Sequence, residues 1–310
     1  MTRTAGKYGR RAPKRAAALK LGKYLTGVVP AVPADEDYLA ALHGGWQMLG
    51  NDRAGDCVAV TWANVRRLVT TSLTDKPSYP DQDMVWKIYQ TQNPQFNPNG
   101  GSITGPGSEY DNGMDIQSLL EYLTRTAGPD GVKALGFAQV DHTNPAEVKA
   151  AIALFGYVWT GINVQDVNQT QFSEGQPWDW SYDGQTEGGH SVVTGGYGTP
   201  GSGALGGDER FITWAEETSF TDSFWKDGVE ECWVVIWPEH LADTDFLAGV
   251  DLAALAADYQ EITGKPFPAT VNPQPAPVPQ PAPAPANPPA PPAGMVKWFE
   301  EFLAWLKSLV

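Results

Sequence analysis

Cysteine is scarce in this chain, because only Cys57 and Cys232 occur among its 310 residues. Two thiols cannot build the dense disulfide framework of small secreted domains, so that class is excluded. No stretch has the length and apolarity of a membrane span or of a secretory signal. We therefore expect a protein made in the cytoplasm, with no signal peptide and no membrane contact.

Histidine is also rare, with four residues, and the acidic residues show no metal-ligand spacing. We expect neither a metal nor a cofactor. Hydrophobic residues make up 42% of the chain and 12 residues are tryptophan, so a sizeable core is possible. Composition divides the chain into a basic arm (1–27), a folded domain (28–265), a proline-rich linker (266–294) and a terminal helix (295–310).

Basic residues are concentrated at the start of the chain. Residues 1–25 hold eight of the 21 lysines and arginines and no acidic residue, which leaves 13 basic against 36 acidic residues in the rest. The arm could dock on an acidic protein partner, act as a transit peptide or form a solvated tail. We favour docking of residues 1–25. The acidic body argues against specific binding of nucleic acid.

The C-terminal part combines a spacer with an amphipathic pattern. Residues 266–294 contain 13 of the 26 prolines, which favours an extended polyproline conformation. In residues 295–310, apolar side chains recur at three- and four-residue steps, which predicts an amphipathic helix. We expect this helix to dock on a protein partner. A helix lying on a membrane surface is a weaker alternative, because its charges are balanced rather than basic.

Two short strings carry most of the chemistry. Residues 51–57 read Asn-Asp-Arg-Ala-Gly-Asp-Cys and lead into an apolar run, which predicts a helix that begins at Cys57. Backbone N–H groups at a helix start favour a thiolate. Residues 188–198 read Gly-Gly-His-Ser-Val-Val-Thr-Gly-Gly-Tyr-Gly, which predicts a strand that carries His190. A thiol nucleophile needs such an imidazole base.

These strings resemble the papain-like cysteine peptidases. Asn51, Gly55 and Cys57 stand where that family has its oxyanion-hole glutamine, a glycine and the nucleophile. His190 and the Gly-Tyr-Gly that ends at residue 198 match the family's histidine strand in register. The string from Leu49 to Cys57, and the Thr-Trp strand followed by Val-Glu-Glu-Cys-Trp-Val-Val at residues 229–235, also resemble uncharacterised papain-like proteins of actinobacterial phages.

The resemblance implies a two-lobed α+β fold over residues 28–265, with a helical lobe and an antiparallel, barrel-like β lobe. It implies that Cys57 attacks a carbonyl of a peptide or protein substrate. His190 then serves as the base, and Asn51 helps to form the oxyanion hole. The implied activity is that of a peptidase or amidase.

The third catalytic position departs from the family pattern. The family orients its histidine with an asparagine that precedes Ser-Trp-Gly, whereas residues 211–217 here read Phe-Ile-Thr-Trp-Ala-Glu-Glu. Thr213, Glu216 or Glu217 could supply an oxygen instead, and spacing does not decide among them. A missing orienter reduces a rate without ending catalysis.

Asp56 is a second departure, because the family has a small neutral residue beside its nucleophile. A carboxylate there raises the pKa of the Cys57 thiol, unless it points to solvent or pairs with Arg53. The sequence therefore leaves two readings open. One is an active thiol hydrolase, and the other is a structural or accessory protein, such as a virion-associated one, that uses the same fold with weak or no catalysis.

Overall fold

The computed structural model describes residues 3–26, 32–42, 45–74, 76–198 and 208–267. Its helices are α1 (Cys57–Leu73), α2 (Gln82–Gln90), α3 (Ile116–Arg125), α4 (Pro145–Phe155), α5 (Asp166–Glu174), α6 (Asp222–Gly228), α7 (Thr244–Gly249) and α8 (Leu252–Thr263). No helix within these ranges is both long and apolar enough to cross a bilayer. The predicted helix 295–310 and nearly all of the predicted linker 266–294 lie outside the described residues.

The strands form one large sheet and one small one. They are β1 (Arg10–Arg11), β2 (Glu36–Asp37), β3 (Met114–Asp115), β4 (Gly136–Val140), β5 (Val158–Gln165), β6 (Thr186–Tyr197), β7 (Glu209–Thr213), β8 (Glu216–Phe220) and β9 (Val229–Ile236). The large sheet has the order β4, β9, β5, β6, β7, β8, and β2 pairs with β6. All its pairings are antiparallel. The predicted α+β architecture is confirmed, although the described strands form an open sheet rather than a closed barrel.

Helix α1 joins the helical half of the fold to the large sheet. Thirteen of its 17 residues are buried, because apolar and small side chains fill nearly all of its faces. The Ser191 hydroxyl donates a 3.0 Å hydrogen bond to Thr61 Oγ1, and the Ser191 oxygen accepts one of 2.8 Å from Trp159 Nε1. Since Ser191 follows His190, these bonds hold the start of α1 against the histidine strand.

Residues 3–26 pack against both halves of the fold and belong to the same compact unit. Within them, β1 pairs in parallel with β3 of the helical half. Leu19, Leu21 and Tyr24 are buried, which gives this segment an apolar anchor as well. Most of the segment that the sequence separates as a basic arm thus lies against the domain that follows it.

The charges of this segment meet acidic groups of the same chain. Arg10 Nη1 lies 2.8 Å from Glu231 Oε1, and both side chains are buried. Arg15 pairs with Glu121 nearer the surface. The basic arm was predicted to bind the acidic surface of another protein. At least part of that acidic surface is provided by residues of the same chain.

Candidate active site

Cys57 is the first residue of α1, where the positive end of the helix dipole lies. Its side chain is only 1% exposed. Burial, followed by the charge of Asp56, raises the pKa of the thiol to about 12, although the backbone N–H groups of Ser191 and Gly9 oppose the rise. The thiol is therefore protonated at neutral pH in this conformation. The backbone N–H of Ser191, the residue after His190, thus lies near the thiol.

His190 lies on β6 with its ring buried. Its Nε2 is 2.8 Å from the Oγ1 of Thr213, at the end of β7, and the ring of Trp214 lies over it with centroids 5.1 Å apart. The ring's Nδ1 is buried without a hydrogen-bond partner among the described residues. Burial, with a smaller contribution from Arg10, lowers the pKa of the imidazole to about 3. The ring is therefore neutral at neutral pH.

The three candidate orienters have different environments. Thr213 contacts the imidazole directly, as described above. Glu217 Oε1 instead accepts a 3.0 Å hydrogen bond from Trp46 Nε1. Glu216 Oε2 lies 4.0 Å from Arg3 Nε in a partly exposed ion pair. Of the three, Thr213 is the one that the described contacts bring to the histidine.

Asn51 is buried, and its side-chain amide is already engaged. The Nδ2 group donates hydrogen bonds to the carbonyl oxygens of Lys7, at 3.0 Å, and of Ala54, at 3.1 Å. The main-chain carbonyl of Asn51 accepts a 2.6 Å hydrogen bond from the main-chain N–H of Lys7. The amide that the resemblance assigns to an oxyanion hole thus binds a carbonyl of the N-terminal segment.

Asp56 neither points to solvent nor pairs with Arg53, so neither arrangement reduces its effect on the pKa of the Cys57 thiol. Its carboxyl group is fully buried, and Arg53 donates a 2.7 Å hydrogen bond to Pro98 O instead. Burial raises the pKa of Asp56 well above its usual value, and nearby Asn51 offsets only part of the rise. Burial thus favours the neutral form of this carboxyl, which repels a thiolate less than the charged form does.

Residues 6–11, the covering segment, cross the cleft above these groups. The Gly9 N–H donates a 3.0 Å hydrogen bond to Gly189 O on β6, and Gly9 O accepts one of 2.7 Å from Met114 N on β3. The Tyr8 ring stands edge-on to the His190 ring, with centroids 6.1 Å apart. Backbone bonds to both halves of the fold thus hold the segment over the candidate dyad.

Gly9 makes this close approach possible. A Cβ atom on Gly9 would lie 1.8 Å from the carbonyl oxygen of Gly55, and no side-chain rotation can relieve a clash with backbone. Gly6 is similarly confined, since its Cβ would lie 2.5 Å from Trp214 Cδ1. Sequence reasoning missed the covering segment. The Gly-Lys-Tyr-Gly spacing at residues 6–9 is the signal that could have indicated a tightly packed strand there.

No protein-family profile matches the sequence, and neither does any curated protein. Solved structures do match. Xylellain, a cysteine protease from Xylella fastidiosa, aligns with a TM-score of 0.54 at 15% identity over 76% of this chain and 97% of its own. The fold is papain-like. ProCathepsin B S9 from Trypanosoma congolense gives 0.53 at 10% identity, covering 75% of this chain and 86% of its own. Procathepsin L 3 of Tenebrio molitor gives 0.50 at 11%, covering 76% of each chain.

The papain-like fold agrees with the resemblance that the two sequence strings carry. Identities of this size establish the fold alone, so the activity of this chain, like its likeness to phage proteins, stays a hypothesis. Within the described residues, no three or more histidine, cysteine, aspartate or glutamate side chains are grouped to hold a metal ion.

Proposed function

We propose that this protein is a papain-like thiol hydrolase, a peptidase or amidase, which is latent while the covering segment is in place. The contact between His190 Nε2 and Thr213 Oγ1 carries the proposal. On this proposal Nε2–H donates to the threonine, and Nδ1 is the acceptor for a proton from Cys57.

The chemistry follows from these positions. Nδ1 of His190 takes the thiol proton as the sulfur attacks the substrate carbonyl, and the imidazolium later protonates the leaving amine. Asn51 Nδ2 and the Cys57 N–H stabilise the oxyanion once the Lys7 carbonyl has left. Thr213 accepts a hydrogen bond from Nε2–H throughout, so it keeps the tautomer that the reaction needs.

The proposed latency follows from burial, which is the largest cause of the pKa shifts of Cys57 and His190. Burial raises the pKa of Cys57 and lowers that of His190, so both groups stay neutral under the covering segment. Displacement of residues 6–11 readmits water and favours the charged thiolate and imidazolium. A peptide or protein substrate is the natural class, since a peptide strand already satisfies the backbone groups of the cleft.

Hydrolysis by a variant with a displaced segment tests the proposal. The full chain, Gly9→Ala, and Gly9→Ala combined with Cys57→Ala would be assayed on a mixed fluorogenic peptide library. We expect turnover by Gly9→Ala alone to exceed both others by at least tenfold. If a folded Gly9→Ala variant hydrolyses no more than its Cys57→Ala counterpart, the hydrolase proposal fails.

A second candidate is a structural or accessory protein with weak or no catalysis. Two observations favour it: a threonine replaces the orienting asparagine, and the Asn51 amide is satisfied inside the protein. On this proposal residues 295–310 dock on a protein partner, for instance in a phage particle. A negative result in the assay above is the outcome that this candidate expects.

A further inference from the structure

The carboxylate of Asp111 collects hydrogen bonds from three separate segments of the helical half. Its Oδ1 accepts a 2.9 Å bond from the Gly55 N–H and a 2.5 Å bond from the Tyr89 hydroxyl on α2. Its Oδ2 accepts a 2.8 Å bond from the Gly107 N–H. Three converging donors need a group whose atoms only accept, and a carboxylate is such a group.

Tyr89 extends this arrangement to the end of the loop that carries Asp111. The Tyr89 oxygen accepts a 3.0 Å hydrogen bond from the Gly113 N–H, so the hydroxyl proton is left for Asp111. Burial, and after it the bond to Asp111, raises the pKa of Tyr89, which therefore remains a donor at neutral pH. Asp111 and Tyr89 thus join the loop before Cys57 to the residue that precedes Met114, where the covering segment is bound.

One peptide group connects Asp111 to Asn51, the candidate oxyanion residue. This group lies between Ala54 and Gly55. Its N–H donates to Asp111 Oδ1, and its carbonyl oxygen accepts the 3.1 Å hydrogen bond from Asn51 Nδ2. A charged acceptor at the N–H polarises a peptide group and strengthens the hydrogen bond at its carbonyl. Asp111 therefore fixes one side of the peptide to which the Asn51 amide is bound on the other.

The two protons of the Asn51 amide have different partners. One is donated to the Lys7 carbonyl of the covering segment, and the other to the Ala54 carbonyl of the same loop. When the covering segment leaves, the bond to Ala54 is the one that still holds the side chain. The first proton is then free for an oxyanion, while the second keeps the amide in position.

We propose that Asp111 is a positioning residue of the thiol hydrolase, which acts through the peptide between Ala54 and Gly55 to hold the Asn51 amide in place for the oxyanion. The inference rests on the proposed function. Asp111 does not bind the reacting atoms in this arrangement. Since loss of one oxyanion donor costs about 100- to 1,000-fold in kcat, loss of its orientation should be visible in the kinetics.

Turnover of a peptide substrate tests the proposal in the Gly9→Ala background, where the cleft is open. Asp111→Ala removes the acceptor of the Gly55 N–H. We expect kcat to fall at least tenfold and KM to change by less than about threefold, because the oxyanion forms only in the transition state. Asp83→Ala removes an exposed acidic residue of α2 and should change neither constant. An unchanged kcat, or a loss that comes entirely from KM, would contradict the proposal.

A double-mutant cycle with Asn51→Ala separates positioning from a general loss of structure. In a chain that carries Gly9→Ala and Asn51→Ala, the oxyanion donor is already absent. Adding Asp111→Ala should then lower kcat by less than about threefold. A general loss of structure would lower kcat by the same factor in both backgrounds, so equal factors overturn the proposal.

A second variant covers the case in which Asp111→Ala does not fold. Asp111→Glu keeps the charge and both acceptor oxygens, but it moves them by one methylene from the place that the Gly55 N–H requires. We expect the same pattern, a fall in kcat of at least tenfold with Asn51 present and of less than about threefold with Asn51→Ala. Full activity of Asp111→Glu would show that charge rather than position matters, and the proposal would fail.

An NMR measurement needs no turnover and so separates this proposal from the one on which it rests. Solvent exchange of the Asn51 side-chain amide protons would be compared in Gly9→Ala, Cys57→Ala with and without Asp111→Ala. We expect at least tenfold faster exchange without Asp111, and no change at the buried Asn168 amide of α5. Unchanged exchange at Asn51 overturns the positioning role, even in an active enzyme. Exchange that depends on Asp111, in a chain that hydrolyses nothing, supports the positioning of Asn51 and defeats the hydrolase alone.

Discussion

The Gly9→Ala substitution should switch Cys57 from an inert thiol to a reactive one. The new Cβ cannot lie 1.8 Å from the Gly55 carbonyl oxygen, so one of the two backbones must shift, and we expect the covering segment to leave its position. Its departure removes the burial that raises the pKa of Cys57 to about 12. An exposed thiol has a pKa of about 8.5.

The size of the effect follows from these two pKa values. At pH 8 the thiolate fraction rises from about one in 10,000 to about one quarter. A less basic thiolate is also a weaker nucleophile, by a factor of roughly 40 over this range. The net gain from ionisation is therefore roughly 60-fold, before any gain from access.

Alkylation by iodoacetamide at pH 8, followed by mass spectrometry of the labelled peptides, measures this gain. Cys232 serves as an internal reference, because it is buried in β9 and its pKa is raised mainly by that burial. Gly101→Ala is a matched control, since a Cβ there meets no atom within 4 Å. Unchanged labelling of Cys57 in a folded Gly9→Ala variant would refute the argument that the covering segment silences the thiol.

Three further predictions concern other parts of the chain. Asp56→Asn should raise the free energy of unfolding at pH 8, because an amide does not titrate, whereas folding holds the Asp56 carboxyl at a raised pKa. Because the folded-state pKa of Asp56 is raised, the gain should be absent at pH 3 and should grow as the pH rises above about 4, measured by urea titration. In the Gly9→Ala background, Thr213→Val should lower kcat at least tenfold and disturb the His190 ring resonances in NMR spectra, whereas Glu217→Gln should do neither. Deleting residues 268–310 should change the melting temperature of the body by less than about 2 °C, by calorimetry, because every described contact of the body is kept; a drop above about 5 °C would show that the tail packs on it.

The pattern of apolar residues along the sequence predicted the helix and the strand whose formation depends on neighbouring residues. Helix α1 begins at Cys57, as the apolar run after Asp56 indicates, and β6 contains the predicted strand around His190. The contact between His190 and Thr213 depends on how β6 and β7 pair. The sequence could name Thr213 as one of three candidates, but only the register of the sheet separates them.

The covering segment lay beyond such reasoning for a different reason. Its buried charge pair joins Arg10 to Glu231, which are 221 positions apart, and no local periodicity reports a contact of that range. Eight basic residues without an acid are typical of a solvated or docking arm. The burial of Asp56 escaped prediction similarly, because its surroundings come from segments distant in sequence.

The same separation sets an order of events during synthesis. Arg10 leaves the ribosome first, and Glu231 follows 221 residues later. At ribosomal speeds of about 5 to 20 residues per second, that interval is roughly 10 to 45 seconds. Throughout it the partner strand β9 does not exist. The Arg10–Glu231 ion pair therefore cannot form until β9 has been made, although the partners of the other backbone bonds of the covering segment, at Asn51, Met114 and Gly189, are synthesised earlier.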